Sequence, residues 1–509
     1  MIHYARFLVR TVTPLLALLL LANAGMQGRA IAQETCYQCQ PPNRPTIQLH
    51  PNAGAAPQTG VLQNLTDPTI INIKPGQVVD RDAFNRPPQQ PNIQILGQQN
   101  GQNGQPGQPG TPGITRINGM PPVGENRFVP DQVLIVARGP LSQQVLDQIA
   151  AFGVTLIEQQ NLTIAGLYIY QFRINDPGTM SVRDAIRVLQ GANLANVPLI
   201  QPNYLFLVVQ QSQRQAPTPA AASQGQGDAA QYVVEKWKLG DVHRLATGNN
   251  VIIAVIDSEI DSGHPDLAGV VRQRFSAVGP EPPHPHGTGM AGAIASRQRL
   301  VGIAPNARLL AVHAFSSKAA TAESTTFQIL KGIDWSVVQG ARIINMSFAG
   351  PRDPSLERAL KAAYDRNVVL VAAAGNAGPK SPPLFPGADP NVIAVTAIDV
   401  DNKLFAGANR GRYVAVAAPG VDVLVPAPKD AYQLTTGTSV AAAEVSGVVA
   451  LMLERNSKLR PAEVRKILTS TARRLGTATR DDNFGFGLVD PLRAIQAANP
   501  KVSSAAPRR

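Results

Sequence analysis

The stretch "TTGTSVAAAEVSG", residues 435–447, sets a serine behind Gly-Thr at the head of an alanine-rich run that reads as a helix. Two roles fit Ser439 there. As an N-cap its hydroxyl would satisfy an orphan backbone N–H. As a nucleophile it would need a base, an orienting acid and an oxyanion site from elsewhere in the chain. Three other stretches supply those residue types. "VIIAVIDSEIDSGHPDL" ends an apolar strand on Asp257, an acid that is costly to bury without a purpose. "HPHGTGMAGAIAS" sets His286 ahead of a Gly-Thr-Gly turn and a helix of small residues. "VVLVAAAGNAGP" runs a buried strand into Gly375 and Asn376, whose amide has donors to offer. Taken singly, Asp257 reads equally as a cap, His286 as a surface imidazole and Asn376 as a turn residue. Taken together, in the order Asp, His, Ser, they have the parts of a hydrolytic triad with an oxyanion donor.

Such residues must be held by a framework, and the sequence from Val251 describes one. Continuous apolar strands at 251–256, 309–314, 343–346, 368–373 and 392–396 alternate with helical stretches such as 325–339 and 355–366. Strands apolar on both faces, separated by helices, predict an α/β fold with a parallel sheet covered on both sides. Sites in such sheets gather at the carboxyl ends of strands, where Asp257 and Asn376 fall. Residues 127–210 read differently, as β-α-β-β-α-β, the pattern of a small ferredoxin-like α+β domain. Between the two lies a Gln/Pro/Ala-rich linker, 211–230, expected to be exposed and open to cleavage.

The chain opens with His3, Arg6 and Arg10, an apolar run at 14–22, and Ala30-Ile31-Ala32. This is the layout of an export signal, expected to cover residues 1–32 and to leave the product secreted or periplasmic. The apolar run is short for a membrane span, so no transmembrane segment is expected in the mature chain. Cys36 and Cys39, the only cysteines, follow the expected cleavage site. They can close a local disulfide or pair between chains, but cannot staple the rest. Residues 33–126, with "GQQNGQNGQPGQPGTPG", are expected to be disordered, since such composition buries too little apolar surface to offset its ordering entropy.

Net charge is +12, yet residues 33–126 carry five basic and five acidic side chains. The excess lies elsewhere: residues 451–509 hold twelve basic and five acidic, ending in a basic tail at 499–509. An anionic envelope surface is one partner for such charge. With no aromatic interleaving and no nucleic-acid module, nucleic acid is not expected as a partner.

The motifs resemble those of the subtilisin-like serine peptidases over roughly residues 231–498. "VIDSEIDSGHPDL" is similar to the family's aspartate motif and "HGTGMAGAIA" to its histidine motif. "NMSFAG" resembles its substrate-binding strand, "AAAGN" its oxyanion segment, and "GTSVAAAEVSG" its serine motif. The domain at 127–210 is similar to the propeptide that the family uses as folding assistant and inhibitor. The resemblance implies an exported serine endopeptidase acting on protein or peptide substrates, made as a self-processed precursor with its own propeptide domain as intramolecular inhibitor. It implies Asp257, His286 and Ser439 as catalytic residues and Asn376 as oxyanion donor. It further implies Ser347, Phe348, Ala349, Gly350, Ala373, Ala374 and Gly375 as substrate-binding residues, with no cofactor.

Departures from the pattern are Gly289, Ala443, Glu444, Glu259 and the Phe348-Ala349 pair. Glu259, two residues beyond Asp257, falls on the triad side if the chain stays extended; a solvent-exposed, screened carboxylate is the equal alternative. Asp266 matches a calcium ligand of some relatives, but its companion loop, "SRQRLVG", has no carboxylate for a hard cation, and no metal is assigned. A contrasting reading is an exported binding protein on a peptidase scaffold that has lost its chemistry.

Overall fold

The computed structural model describes residues 118–208, 211–215, 228, 230–318 and 321–499, all within the compact unit Asp67–Arg509. The expected export signal, Cys36 and Cys39, the glutamine-rich stretch as far as residue 117, most of the linker and the tail from residue 500 lie outside the described residues.

The first described part runs β1 (Phe128–Ala137), α1 (Gln143–Ala150), β2 (Val154–Leu162), β3 (Leu167–Ile174), α2 (Val182–Gly191) and β4 (Leu199–Val208). Its strands are antiparallel in the order β4-β1-β3-β2. Ser142 and Ser181 start the two helices by accepting the N–H groups of Val145 and Asp184, and a core that includes Val133, Ile135, Phe172, Ile186 and Leu189 holds the layers together. Residues 118–126, assigned by composition to disorder, are described here. The Arg183 guanidinium donates to the carbonyls of Pro122 and Glu125 and so ties this stretch to α2.

Next come β5 (Gln211–Gln215), α3 (Tyr232–Lys236), α4 (Leu239–His243), β6 (Ile252–Asp257), β7 (Val271–Ser276), α5 (Pro285–Ala295), β8 (Arg308–His313), β9 (Glu323–Thr325) and α6 (Thr326–Val338). The chain continues through β10 (Ile343–Met346), β11 (Phe348–Ala349), α7 (Pro354–Asp365), β12 (Val369–Ala373), β13 (Val392–Ile398) and β14 (Val414–Pro419). It closes with β15 (Val423–Ala427), β16 (Ala431–Thr436), α8 (Thr438–Arg455), α9 (Pro461–Thr471) and α10 (Pro491–Ala498). Seven strands form one parallel sheet in the order β14-β13-β12-β10-β6-β8-β7. From β6 the chain builds outward in both directions, so the crevice of the sheet opens at the carboxyl end of β6.

Helix α8 is buried on every side from Thr438 to Leu453. That burial accounts for its Ala, Val and Gly content, because a helix apolar all round belongs inside a core. Helix α5 is likewise buried from His286 to Ala295, and its glycines permit close approach. A Cβ on Gly287 would sit 2.2 Å from the Ser258 carbonyl oxygen, and one on Gly292 would sit 2.2 Å from the Pro426 ring.

Strand β4 joins the two parts. It lies between β9 and β11 and runs antiparallel to both, Leu205–Leu207 opposite Thr325–Glu323 and Phe348 opposite Val208. Phe206 is buried with its ring edge-on to Phe348 at 6.1 Å. Two β4 side chains cap helices of the second part. Asn203 Oδ1 accepts the N–H of Phe327 at the start of α6. Gln201 Oε1 accepts the N–H and hydroxyl of Ser355 in the first turn of α7, while Gln201 Nε2 donates to buried Asp353 at 2.8 Å. Linker residues 211–215, expected to be exposed, form β5 and pair antiparallel with β16.

Candidate active site

Asp257 closes β6, where the sheet presents strand ends to the crevice. Its Oδ1 accepts from the Ser258 N–H at 2.7 Å and lies 2.7 Å from His286 Nδ1. Both side chains are buried, so this contact is sheltered from water and from salt. With a carboxylate on Nδ1, the imidazole carries its proton there and presents Nε2 as a base. His286 is in the first turn of α5, which starts at Pro285 and is capped by His284, whose Nδ1 accepts the His286 N–H.

Ser439 is the second residue of α8, two places past the N-cap. The N-cap place belongs to Gly437, which has no side chain with which to cap the helix. The Ser439 hydroxyl is buried with no hydrogen-bond partner among the described residues. Its backbone is anchored instead: the Ser347 hydroxyl donates to the Ser439 carbonyl at 2.9 Å, and Asn345 Nδ2 donates to Ser347 Oγ. The Ser446 hydroxyl, on α8, donates to Asn345 Oδ1. A buried chain of amide and hydroxyl groups thus fixes the start of α8 against β10.

Asn376 follows β12 through Gly375, whose φ of 113° suits a residue without a Cβ. Its Oδ1 accepts from the Thr438 N–H at 3.1 Å and the Thr438 hydroxyl at 2.9 Å. Because Thr438 N–H is a donor, the amide orientation is fixed with its NH2 turned away. That Nδ2 is buried and without a partner among the described residues. His286 Nε2 and Asp257 Oδ2 share this condition. Nine buried side-chain atoms among the described residues have no partner, and four of them fall, one each, on the four residues singled out by chemistry.

The expected substrate-binding residues fall on two segments. Ser347 turns its side chain inward to α8, while Phe348 and Ala349 form β11. Phe348 packs on Phe315 at 4.9 Å. Gly350 exchanges backbone hydrogen bonds with Phe385, and a Cβ there would overlap the Phe206 ring. Ala373 ends β12, the Ala374 carbonyl accepts from the Tyr413 hydroxyl, and the Gly375 N–H donates to Thr438 Oγ1. Glu259 is not turned to His286. Its carboxylate is bound by Arg274 and lies 3.1 Å from His313 Nδ1, so its charge is matched locally. Asp266 is occupied by the N–H groups of Gln298 and Leu300 and by the Tyr432 hydroxyl.

Thr438, Asn345, Ser258 and His284 support the site in roles that sequence reasoning did not assign to them. Each stands within or beside a quoted motif, but nothing in its spacing separates it from an ordinary polar residue.

A model of the subtilase family of peptidases matches residues 248–487. Subtilisin E of Bacillus subtilis is 36% identical over 279 residues, covering 52% of this chain and 71% of the relative. Subtilisin of Bacillus pumilus is also 36% identical over 279 residues, and there 98% of the relative is covered. A thermophilic serine proteinase of Bacillus sp. strain AK1 is 33% identical over 342 residues, 63% of this chain and 80% of the relative. Among solved structures, fervidolysin of Fervidobacterium pennivorans, a keratinolytic enzyme related to subtilisin, superposes with a TM-score of 0.60 at 24% identity. That match covers 72% of this chain and 61% of the other, and speaks to fold alone. Fold, motif order and relatives agree: the chain belongs to the subtilase family of serine endopeptidases.

Proposed function

We propose that this chain is an exported endopeptidase that cleaves protein or peptide substrates through Ser439, His286 and Asp257, and that it is made as a self-processed precursor. Ser439 attacks the scissile carbonyl while His286 takes its proton and returns it to the leaving amine. Asp257 holds the imidazole in the required tautomer and stabilises the imidazolium. Asn376 Nδ2 and the Ser439 N–H stabilise the oxyanion. The observation that carries this reading is the group of buried, unpartnered atoms on these four residues. No observation favours the contrasting reading of a scaffold without chemistry.

The domain at 127–210 would act as inhibitor by occupying the substrate strand next to Ser347. The pairing of β4 with β11, and of β5 with β16, supports this. Those pairings lie on opposite sides of residues 209–210, and β16 ends three residues before Ser439. Self-cleavage is therefore expected between Gln210 and Tyr232, toward the start of that interval. Export rests on the layout of residues 1–32; among the described residues no helix is long and apolar enough to cross a membrane.

A fluorophosphonate probe tests the assignment. The processed protein should be labelled and Ser439→Ala should not; absence of labelling in the former would return the binding-protein reading. Purified Ser439→Ala precursor should also stay full length. Clipping at the wild-type rate, with no other protease present, would end the self-processing proposal.

A further inference from the structure

Ser258 and His284 sit behind the triad, where one hydroxyl hydrogen lies within reach of two acceptors. His284 Nδ1 faces the His286 N–H at 3.3 Å, so Nδ1 is an acceptor and carries no hydrogen. Ser258 Oγ lies 3.0 Å from that same Nδ1 and 3.0 Å from Asp257 Oδ1. It also accepts the Gly287 N–H at 3.0 Å. The hydroxyl has one hydrogen and two acceptors that compete for it.

We infer that His284 is a positioning residue for the triad: its unprotonated Nδ1 draws the Ser258 hydroxyl hydrogen away from Asp257, so that the carboxylate keeps its charge for His286. The inference rests on the triad proposed above. Asp257 Oδ1 already accepts from the Ser258 N–H and faces His286 Nδ1. A third donor on that oxygen would spread its charge and weaken its hold on the imidazolium. The charges that act on His284 are those of His286, Asp257 and Glu281. The carboxylate of Glu259, whose carbonyl accepts the His284 N–H, is paired with Arg274 and His313. Burial, and then repulsion from His286, holds the His284 imidazole below the usual histidine range, which keeps Nδ1 an acceptor while His286 is working.

Removing the acceptor frees the hydrogen for Asp257. His284→Ala should lower kcat several-fold with little change in KM. Its acid limb of kcat/KM should move to lower pH, because a weaker Asp257 makes His286 easier to deprotonate. His284→Asn, which keeps an acceptor oxygen, should restore both. Adding Ser258→Ala to His284→Ala removes the competing hydrogen and should return the acid limb toward wild type, whatever it does to overall rate. Loss of a helix cap alone predicts a lower rate with an unmoved limb, and that result would overturn the inference. So would a limb that moves but is not returned by Ser258→Ala. Ser439→Ala run alongside separates the two proposals. If it retains wild-type activity the triad reading falls, whereas an inactive Ser439→Ala with an unmoved His284→Ala limb sinks the relay alone.

Discussion

Helices α5 and α8 both start at the crevice, both are buried along most of their length, and each carries a proposed catalytic side chain in its first turn. They begin in opposite ways. The start of α5 is closed: His284, Ser258 and Asp257 meet the His286 and Gly287 N–H groups and the inner imidazole nitrogen. The start of α8 is open: its backbone is anchored through Ser347 and Asn376, while Ser439 Oγ and Asn376 Nδ2 have no partner among the described residues. The base must be oriented before substrate arrives, so its partners are built in. On the proposed function, Ser439 and Asn376 act on atoms that come with the substrate, and a built-in partner would have to be broken first.

The sharpest break falls on the open side. Ser439→Ala should lower kcat on the order of a million-fold, a magnitude carried over from a subtilisin, a member of this family; steady-state assay on a chromogenic peptide reads it. A loss below tenfold would mean that the open start of α8 is not where the chemistry happens. Asn376→Ala comes next, with kcat down about a hundred- to a thousand-fold, again a subtilisin figure, and KM nearly unchanged. An effect confined to KM would make Asn376 a contact to the resting substrate. Thr438→Val removes one of two hydrogen bonds that aim Asn376 and should cost roughly fivefold in kcat, given about 1 kcal/mol for a hydrogen bond. Its loss should vanish in an Asn376→Ala background if Thr438 acts through that amide.

The smallest effect lies on the far side of α8. Glu444 is buried with Oε2 unpartnered among the described residues, beside a cavity lined by Gln231, Val233, Ile303 and Leu424. Burial pushes its carboxyl well up, with Lys236 offsetting a part. A folded-state pKa above the unfolded one gives stability that is full below the ordinary glutamate value of 4.5 and is lost as pH climbs toward the folded pKa. Glu444→Gln removes that slope, so its Tm should exceed wild type at mildly alkaline pH and converge with it below 4.5. Equal Tm differences at both ends would mean that Glu444 has its charge matched in the fold.

Much of this architecture was legible because it repeats. Doubly apolar strands between helices announce a covered parallel sheet, and the small domain's element order needs only turns and periodicity. Asp257, His286, Asn376 and Ser439 stood out because each is polar at the end of an apolar run. Thr438, Ser258 and His284 did not, since a hydroxyl or imidazole acquires its partner from tertiary structure and its sequence neighbours look ordinary. Glu259 shows the same limit from the other side. Alternation suggested a triad-facing carboxylate, but Arg274 and His313 arrive from β7 and β8 to claim it. The pairing of β5 with β16 was hidden too, because a strand in a Gln-rich stretch is set by the edge it joins.

One consequence follows from β4 belonging to the chain that it would block. A tethered strand meets its groove at an effective concentration of about millimolar, so on the proposed function an uncut precursor stays silent even if the strand binds weakly. The cut ends that advantage without altering a single contact: escape of the small domain then obeys mass action. On the proposed function, a larger fraction of freshly cut protein should become active on dilution, and crowded cut protein should stay quiet, so that dispersal itself serves as the trigger.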